Sequence, residues 1–211
     1  GRLTGSGQLE LSPGVSGSFS YQLSDSRPLD YFAAELPLQV ANLSSDGQFA
    51  FAVEEGVFNA TLQFASVAGE FGEYPFQGNG TVGFRAGAFN VESLQLSTAD
   101  NRLSFSGSYD DDASIAWEID ARQLDQFIAG LEGQLQASGQ LSGDLSEPQL
   151  DATVTGEAIR YGSIDVGALQ LDLNLEDDAI QSRATVTRAA LGSGDGALLI
   201  ESVALDLSGT Q

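Results

Sequence analysis

The chain has 211 residues, and thirty acidic side chains against eight basic ones give a formal net charge of −22 at pH 7. All eight basic residues are arginines, and the chain contains no lysine, histidine, cysteine or methionine. This composition excludes disulfides, Ser-His-Asp and thiol nucleophiles, zinc sites with nitrogen or sulfur ligands, and lysine chemistry. So acidic a chain is not expected to bind nucleic acid through phosphates, and we expect no cofactor, no metal and no enzymatic activity.

The length allows one large β domain or two small ones and is sufficient to bury a core. No run of about eighteen apolar residues is present, so the sequence predicts neither a spanning helix nor a signal peptide. Because even an initiating methionine is absent, we expect a fragment of a larger protein, with any membrane anchor outside it.

The first hundred residues alternate apolar and polar side chains in short segments, which is the pattern of half-buried β-strands. Within this region a short helix is predicted over 28–35, where Pro28 lies near the first turn. Asp46-Gly47 is a hairpin-turn signal, and Gly78-Asn79-Gly80 is interpreted as a break between strands. A one-residue slip in the alternation between Val91 and Leu94 predicts a β-bulge or a corner.

The second half contains the most regular pattern. Leu124, Phe127, Ile128 and Leu131 have helical spacing, so a short amphipathic helix is predicted over 122–130. From 131 to 145 every second residue is apolar or glycine, and the residues between are polar. We therefore predict a β-strand with one apolar and one polar face, followed by further strands to 175.

The coarse prediction is about fifteen short strands and two short helices in a single elongated β domain spanning 1–211. Each predicted helix is followed by strands, which suggests a loose duplication into sub-units 1–120 and 121–211. Strand order cannot be read from the alternation.

Carboxylates are the remaining candidates for chemistry, and they cluster at 110–112 and 176–178. We interpret both clusters as solvated turn residues, because a glycosidase needs two acids held in one cleft. A calcium site in the Gly-rich loop 192–196 is the weaker alternative, since such β-roll loops require stacked repeats. Trp117 is either a core aromatic or the wall of a ligand groove.

A known family shares the features of the stretch 103–173. The features are Leu-Ser-Phe-Ser-Gly at 103–107, Trp117 and Asp120 on the next strand, and Leu124 in the predicted helix. Gly-x-Leu-x-x-x-Gly-x-Leu-x-Gly-x-Leu-x-x-Pro-x-Leu then covers 133–150, and Ala-Ile-Arg-Tyr at 158–161 and Leu-Gln-Leu at 169–171 follow. This ensemble resembles the TamB family within the AsmA-like group of bacterial envelope proteins.

The resemblance implies an all-β fold, a long curled antiparallel sheet with a taco-like groove and an apolar concave face. It also implies a periplasmic location, an inner-membrane anchor in the full-length protein, and an outer-membrane barrel partner of the TamA type. The implied function is the movement of phospholipid between the inner and outer membranes. Assembly of outer-membrane proteins is the alternative that the resemblance leaves open.

Apolar residues of the alternating strands are the predicted lining of this lipid groove. They are Leu131, Leu135, Ala137, Leu141, Leu145, Leu150, Val154, Leu169, Leu171, Leu173, Phe49, Phe51, Phe105, Ile115 and Trp117. A structural or adhesive β domain with a closed core is the other interpretation, because alternation identifies a buried face and not what covers it.

Overall fold

A computed structural model describes residues 1–11, 14–26, 40–71, 74–110, 112–144, 148–176, 179–192 and 198–210. The helix predicted over 28–35 and the predicted lining residue Leu145 lie outside these residues. The other elements can be compared with the sequence directly.

Thirteen strands account for nearly all of the described chain, which confirms the all-β class. Their bounds are β1 Arg2–Glu10, β2 Val15–Ser26, β3 Val40–Glu54, β4 Val57–Phe71, β5 Tyr74–Arg85, β6 Ala88–Thr98, β7 Asn101–Tyr109, β8 Ala113–Ala121, β9 Leu131–Gly143, β10 Gln149–Tyr161, β11 Ile164–Glu176, β12 Ala179–Leu191 and β13 Leu198–Thr210. Within each of the two units defined below, the order of the strands along the sheet is their order along the chain.

The strands are fewer and longer than predicted because two glycine signals lie inside strands rather than between them. Asp46-Gly47 is part of β3, where it marks a register shift against β4. A Cβ on Gly47 would collide with the carbonyl oxygen of Gln63 and approach the ring of Tyr21. Gly78-Asn79-Gly80 is likewise part of β5. Glycine therefore makes room for neighbouring strands at these positions instead of turning the chain.

The bulge predicted from the slip between Val91 and Leu94 is confirmed. Thr81 pairs with Ser93 and Val82 pairs with Val91, so Glu92 is an additional residue on β6. The extra residue restores the apolar phase of the strand, since one inserted residue changes which face the following side chains occupy.

The helix predicted over 122–130 is only a 3-10 turn, Leu124–Gln126. Leu124 is buried, but Phe127 and Ile128 are each 52% exposed, so the expected apolar stripe does not pack as one face. Gln123 precedes the turn without capping it through its side chain. A segment this short and uncapped gains little from helix formation.

The described chain divides into two compact units. Unit 1 comprises residues 1–99 and 104–111, and unit 2 comprises residues 100–103 and 112–211. Within unit 1 strands β1 to β6 pair antiparallel, each with the next, and within unit 2 strands β8 to β13 do the same. The predicted sub-units 1–120 and 121–211 stay a prediction.

Large and small residues alternate between neighbouring strands of unit 2. Trp117 on β8 pairs with Gly139 on β9, and a Cβ added to Gly139 would lie 2.6 Å from the Cζ2 atom of that indole. The same Cβ would also collide with the backbone oxygen of Asp151 on β10. The tryptophan ring thus occupies the space that the missing side chain leaves, as aromatic residues do over strand glycines.

We expect Gly139→Ala to lower the free energy of unfolding by about 1–3 kcal/mol, because the added methyl group overpacks against a backbone oxygen that cannot move freely. Urea unfolding of the chain would measure the change. The matched control is Gly83→Ala in β5, where the nearest atoms to a built Cβ are 3.8 Å and 3.9 Å away. Equal effects of the two substitutions would contradict the packing of Trp117 over Gly139.

Candidate functional site

The register of unit 2 aligns its apolar residues in rows across the strands. One row runs along Ile119, Ala137, Val154, Leu171, Ala184 and Leu205, each paired with the next. Three further rows run parallel to it. One consists of Ile115, Leu141, Leu150, Leu175 and Ile180, and another of Trp117, Gly139, Ala152, Leu173, Ser182 and Leu207. The last consists of Ala121, Leu135, Gly156, Leu169, Val186 and Val203. We call the surface formed by these four rows the aliphatic face.

The intervening residues form rows of the opposite character. One such row consists of Glu118, Ser138, Thr153, Asp172, Arg183 and Asp206. The Thr153 hydroxyl donates a hydrogen bond to Asp172 over 3.1 Å, and the Arg183 guanidinium forms an ion pair with Asp206 at 2.6 Å. Since successive side chains of a strand point to opposite faces, unit 2 has one aliphatic and one polar face.

Within unit 2, no described residue forms a second layer over the aliphatic face. Among the described residues the buried apolar side chains are Ala113, Ala121, Leu124 and Ala137, and no large side chain is fully buried. Leu141, Leu171 and most of the other large residues of the rows are half-buried, whereas Leu205 and Leu207 on β13 are exposed. A closed sandwich of this size would bury several large side chains completely. The aliphatic face therefore lacks the cover that a closed core provides.

The structure brings most of the predicted lining residues together. The following residues lie in the rows of the aliphatic face: Leu135, Ala137, Leu141, Leu150, Val154, Leu169, Leu171, Leu173, Ile115 and Trp117. Leu131, the first residue of β9, lies beyond them and pairs with Tyr161. That these residues line a groove stays a prediction.

The prediction omitted apolar residues that complete the same rows. They include Ile119, Ala152, Leu175, Ile180, Ala184, Val186, Val203 and Leu205. Their signal was the alternation already used for β9 to β11, which also extends through β12 and β13. It is weaker there because short residues such as Ala184 and Ser182 occupy row positions.

Four strands change the phase of their alternation at the same level of the sheet. The pairing register among these strands is unchanged on either side of Ala158 in β10, Gly167 in β11, Arg188 in β12 and Glu201 in β13. Against β9, the register of β10 shifts by one residue at this level. Ala158 and Arg188 have positive φ values of 50° and 56°. Beyond this level Ile159, Val166, Ala189 and Ile200 form a further apolar row. The four aligned additional residues keep the apolar residues of neighbouring strands opposite one another.

The predicted aromatic residues Phe49 and Phe51 belong to unit 1 and have their own surroundings. The ring centroid of Phe51 lies 6.2 Å from that of Phe19, 5.9 Å from that of Phe49 and 6.2 Å from that of Phe58. Phe58 and Phe84 are also 6.2 Å apart. Such centroid separations are typical of favourable aromatic pairs. The predicted residue Phe105 is half-buried in β7.

Several arginines of unit 2 form ion pairs at its surface. The Arg122 guanidinium binds Asp120 at 2.9 Å, and Arg160 binds both Glu132 at 3.0 Å and Asp165 at 3.2 Å. The hydrogen bond from Arg122 lowers the pKa of Asp120, and the charges of Arg122 and Arg102 act in the same direction. These groups lie in solvent, so the pairs orient side chains more than they stabilise the fold.

The structure describes only part of the acidic clusters at 110–112 and 176–178. In the described ranges no group of three or more acidic residues is placed to hold a metal ion. Asp111, Asp177, Asp178 and most of the loop 192–196 lie outside these ranges. Within the same ranges, no helix has the length and apolar character needed to cross a membrane.

Comparison with known proteins identifies one family. A family model described as the N-terminal domain of TamB matches residues 1–211. The chain is also similar to a protein of Haemophilus influenzae described as translocation and assembly module subunit TamB, with 24% identity over 121 residues. The matched region covers 57% of this chain but only 9% of that relative. No solved structure matches the chain.

We expect Arg122→Gln to raise the pKa of Asp120 toward its ordinary value, because the substitution removes the hydrogen bond and charge that lower this pKa. A carboxylate whose pKa is lowered in the folded state stabilises the fold at pH values above its pKa in the unfolded state. This contribution is lost as the pH falls through the folded-state pKa. An NMR titration of the Asp120 carboxyl carbon measures both values.

Arg102→Gln is the control, because Arg102 lowers the pKa of Asp120 only through its charge and more weakly than Arg122 does. Its effect on the pKa of Asp120 should be smaller than that of Arg122→Gln. An unchanged Asp120 pKa in Arg122→Gln would contradict the hydrogen-bonded pair.

Proposed function

Because the chain belongs to the TamB family, we propose that it is a non-enzymatic segment of a bacterial envelope protein that shelters phospholipid acyl chains between the inner and outer membranes. The Haemophilus relative is described as a subunit of a translocation and assembly module. We extend participation in such a module to this chain, with a periplasmic location and an outer-membrane partner of the TamA type.

The aliphatic face, which lacks a second layer within the described part of unit 2, is the observation that carries this proposal. Each CH₂ group removed from water contributes about 0.8 kcal/mol, so a sixteen-carbon chain gains on the order of 12 kcal/mol from complete shelter. Leucine and valine side chains contact such a chain without directional bonds. An acyl chain therefore moves along the face without breaking specific interactions.

The strand dimensions fit this ligand. Strands β9 to β13 each contain 13 residues, and at about 3.3 Å per residue they extend roughly 43 Å. One leaflet of a bilayer contributes roughly half of the 30 Å hydrocarbon thickness. A full acyl chain is accommodated on the aliphatic face, while the headgroup stays in water beyond its end.

The polar face contributes solubility instead of binding lipid. Its rows carry hydroxyl, amide and carboxylate groups that bind one another, as between Asn174 and Asp151 at 2.6 Å. The net charge of −22 further opposes adsorption of the sheet to an anionic bilayer. Lipid is therefore expected on one face of unit 2 only.

Photocrosslinking in intact cells tests the proposal, with a benzophenone amino acid placed at Leu171 or at Gln170 of the full-length protein. Leu171 lies in a row of the aliphatic face, between Val154 and Ala184, and the adjacent Gln170 is exposed on the polar face. We expect phospholipid adducts at Leu171 and none at Gln170, and mass spectrometry of the purified adducts measures both.

The absence of lipid at both positions would contradict the proposal and favour a structural domain whose aliphatic face is covered. A polypeptide adduct at Leu171 would favour the alternative function, a scaffold or chaperone for outer-membrane protein assembly. That alternative is chemically reasonable, because a strand of an outer-membrane protein also alternates apolar and polar residues.

A further inference from the structure

Exposed apolar side chains of unit 2 gather at one end of its sheet. Phe127 and Ile128 are each 52% exposed, Tyr161 is 51% exposed and Ile164 is 43% exposed. Leu131 connects them, since its backbone N–H donates to the Ile128 carbonyl oxygen at 3.0 Å and its strand position is paired with Tyr161. Tyr161 in turn pairs with Ile164 across a tight turn. We call Phe127, Ile128, Tyr161 and Ile164 the rim patch.

The opposite end of the same strands is different. Leu150, Leu175 and Ile180 are paired near that end, and all three are half-buried. Exposed apolar side chains therefore mark one end of β10 and β11, and Leu191 and Leu198 at the same end of β12 and β13 are exposed as well.

A buried asparagine holds the loop that carries Phe127 and Ile128. Asn101 is 4% exposed, and its Oδ1 atom accepts hydrogen bonds from the backbone N–H groups of Arg122 at 2.8 Å and Gln123 at 2.9 Å. Its Nδ2 group donates to the Gln123 carbonyl oxygen at 3.0 Å and to Gln126 Oε1 at 2.9 Å. Asn101 therefore uses both its acceptor and its donors to fix this loop.

The loop backbone is also ordered immediately before the exposed residues. The N–H groups of Phe127 and Ile128 donate to the Leu124 carbonyl oxygen at 3.0 Å and 3.1 Å, and the Leu124 side chain is buried. Two large apolar side chains are thus presented to solvent from a fixed support. Rigid presentation lowers the entropic cost of association, which is the usual property of anchor residues in protein interfaces.

The charges around the rim patch restrict the class of partner. Asp125 and Glu132 flank Phe127 and Ile128, and Arg160 is already paired with Glu132 and Asp165. An anionic bilayer repels such a surface, and a second copy of this chain, also carrying −22, is repelled as well. A protein with an apolar pocket bordered by lysine or arginine is complementary to it.

We propose that the rim patch is a docking surface for a protein partner that has an apolar pocket with a basic border. Phe127 and Ile128 are the anchors, and Asn101 is a positioning residue that holds them in the binding conformation. This inference does not depend on the lipid role of the aliphatic face, because it concerns a different surface of unit 2 and a different class of ligand.

Photocrosslinking of the full-length protein in intact cells tests this inference, with the benzophenone amino acid at Phe127. We expect a discrete adduct with another protein, and sequencing of the crosslinked peptide should show apolar residues next to lysine or arginine. The control probe is at Gln140, which is exposed on the polar face of β9. It should give no such adduct.

Asn101→Ala tests the positioning role with the probe still at Phe127. We expect the adduct yield to fall by roughly tenfold, which corresponds to about 1.4 kcal/mol of lost binding free energy. The cellular amount of full-length protein is measured in parallel and should not change, which separates loss of docking from loss of folding. If Asn101→Ala lowers the adduct yield and the protein amount together, or leaves the Phe127 adduct unchanged, Asn101 is not a positioning residue.

Four results at Phe127 would overturn the docking proposal. They are a lipid adduct, an adduct with a second copy of the same protein, a protein adduct whose crosslinked peptide is acidic or lacks apolar residues, and the absence of any adduct. Each result is independent of the lipid readout at Leu171, so the two proposals can fail separately.

Discussion

The antiparallel register between consecutive strands is the constraint on which the properties of this chain depend. Alternation within one strand only separates apolar from polar side chains, and the register must then place the apolar sets of neighbouring strands opposite one another. In unit 2 the pairing of Val154 with Leu171, and of Leu171 with Ala184, satisfies this requirement. Because the register satisfies this requirement from β8 to β13, the apolar residues of the individual strands form one continuous aliphatic face.

Unit 2 is not stabilised mainly by a buried hydrophobic core, as most domains are. The described residues contain no large side chain that is fully buried, so unit 2 depends on backbone ladders, on contacts along rows and on pairs such as Trp117 with Gly139. Half-buried leucines that face water are costly unless something covers them. The uncovered aliphatic face is unusual for a protein domain, and it is also suited to bind an apolar ligand.

The sequence predicted the class of fold and the face of most candidate residues because both depend on local alternation. The bulge at Glu92 was also predictable, since the slip between Val91 and Leu94 is visible within one strand. Gly47 was misjudged because the reason for that glycine is the backbone of Gln63 on the next strand, which local sequence does not show.

The conformation of the loop after β8 also depends on a residue that is distant in the sequence. The spacing of Leu124, Phe127 and Ile128 is helical, but the conformation is decided by Asn101, about twenty positions earlier in the chain. Hydrogen bonds from a side chain distant in sequence override the weak helix propensity of a short segment. The pairing register is likewise not a local property. The connections between strands determine which residues become neighbours in a row, and the sequence of a single strand does not.

The aligned phase change at Ala158, Gly167, Arg188 and Glu201 has a consequence for how such a sheet evolves. Deleting one of these residues alone would turn one end of its strand over relative to its neighbours and place polar side chains among the leucines. A compensating deletion would then be required in each adjoining strand. A change in length within these strands thus involves a row across several strands or a whole hairpin, unless a β-bulge absorbs it as at Glu92 in β6. Relatives of this chain should therefore differ in their number of strands more readily than in the lengths of strands that they share.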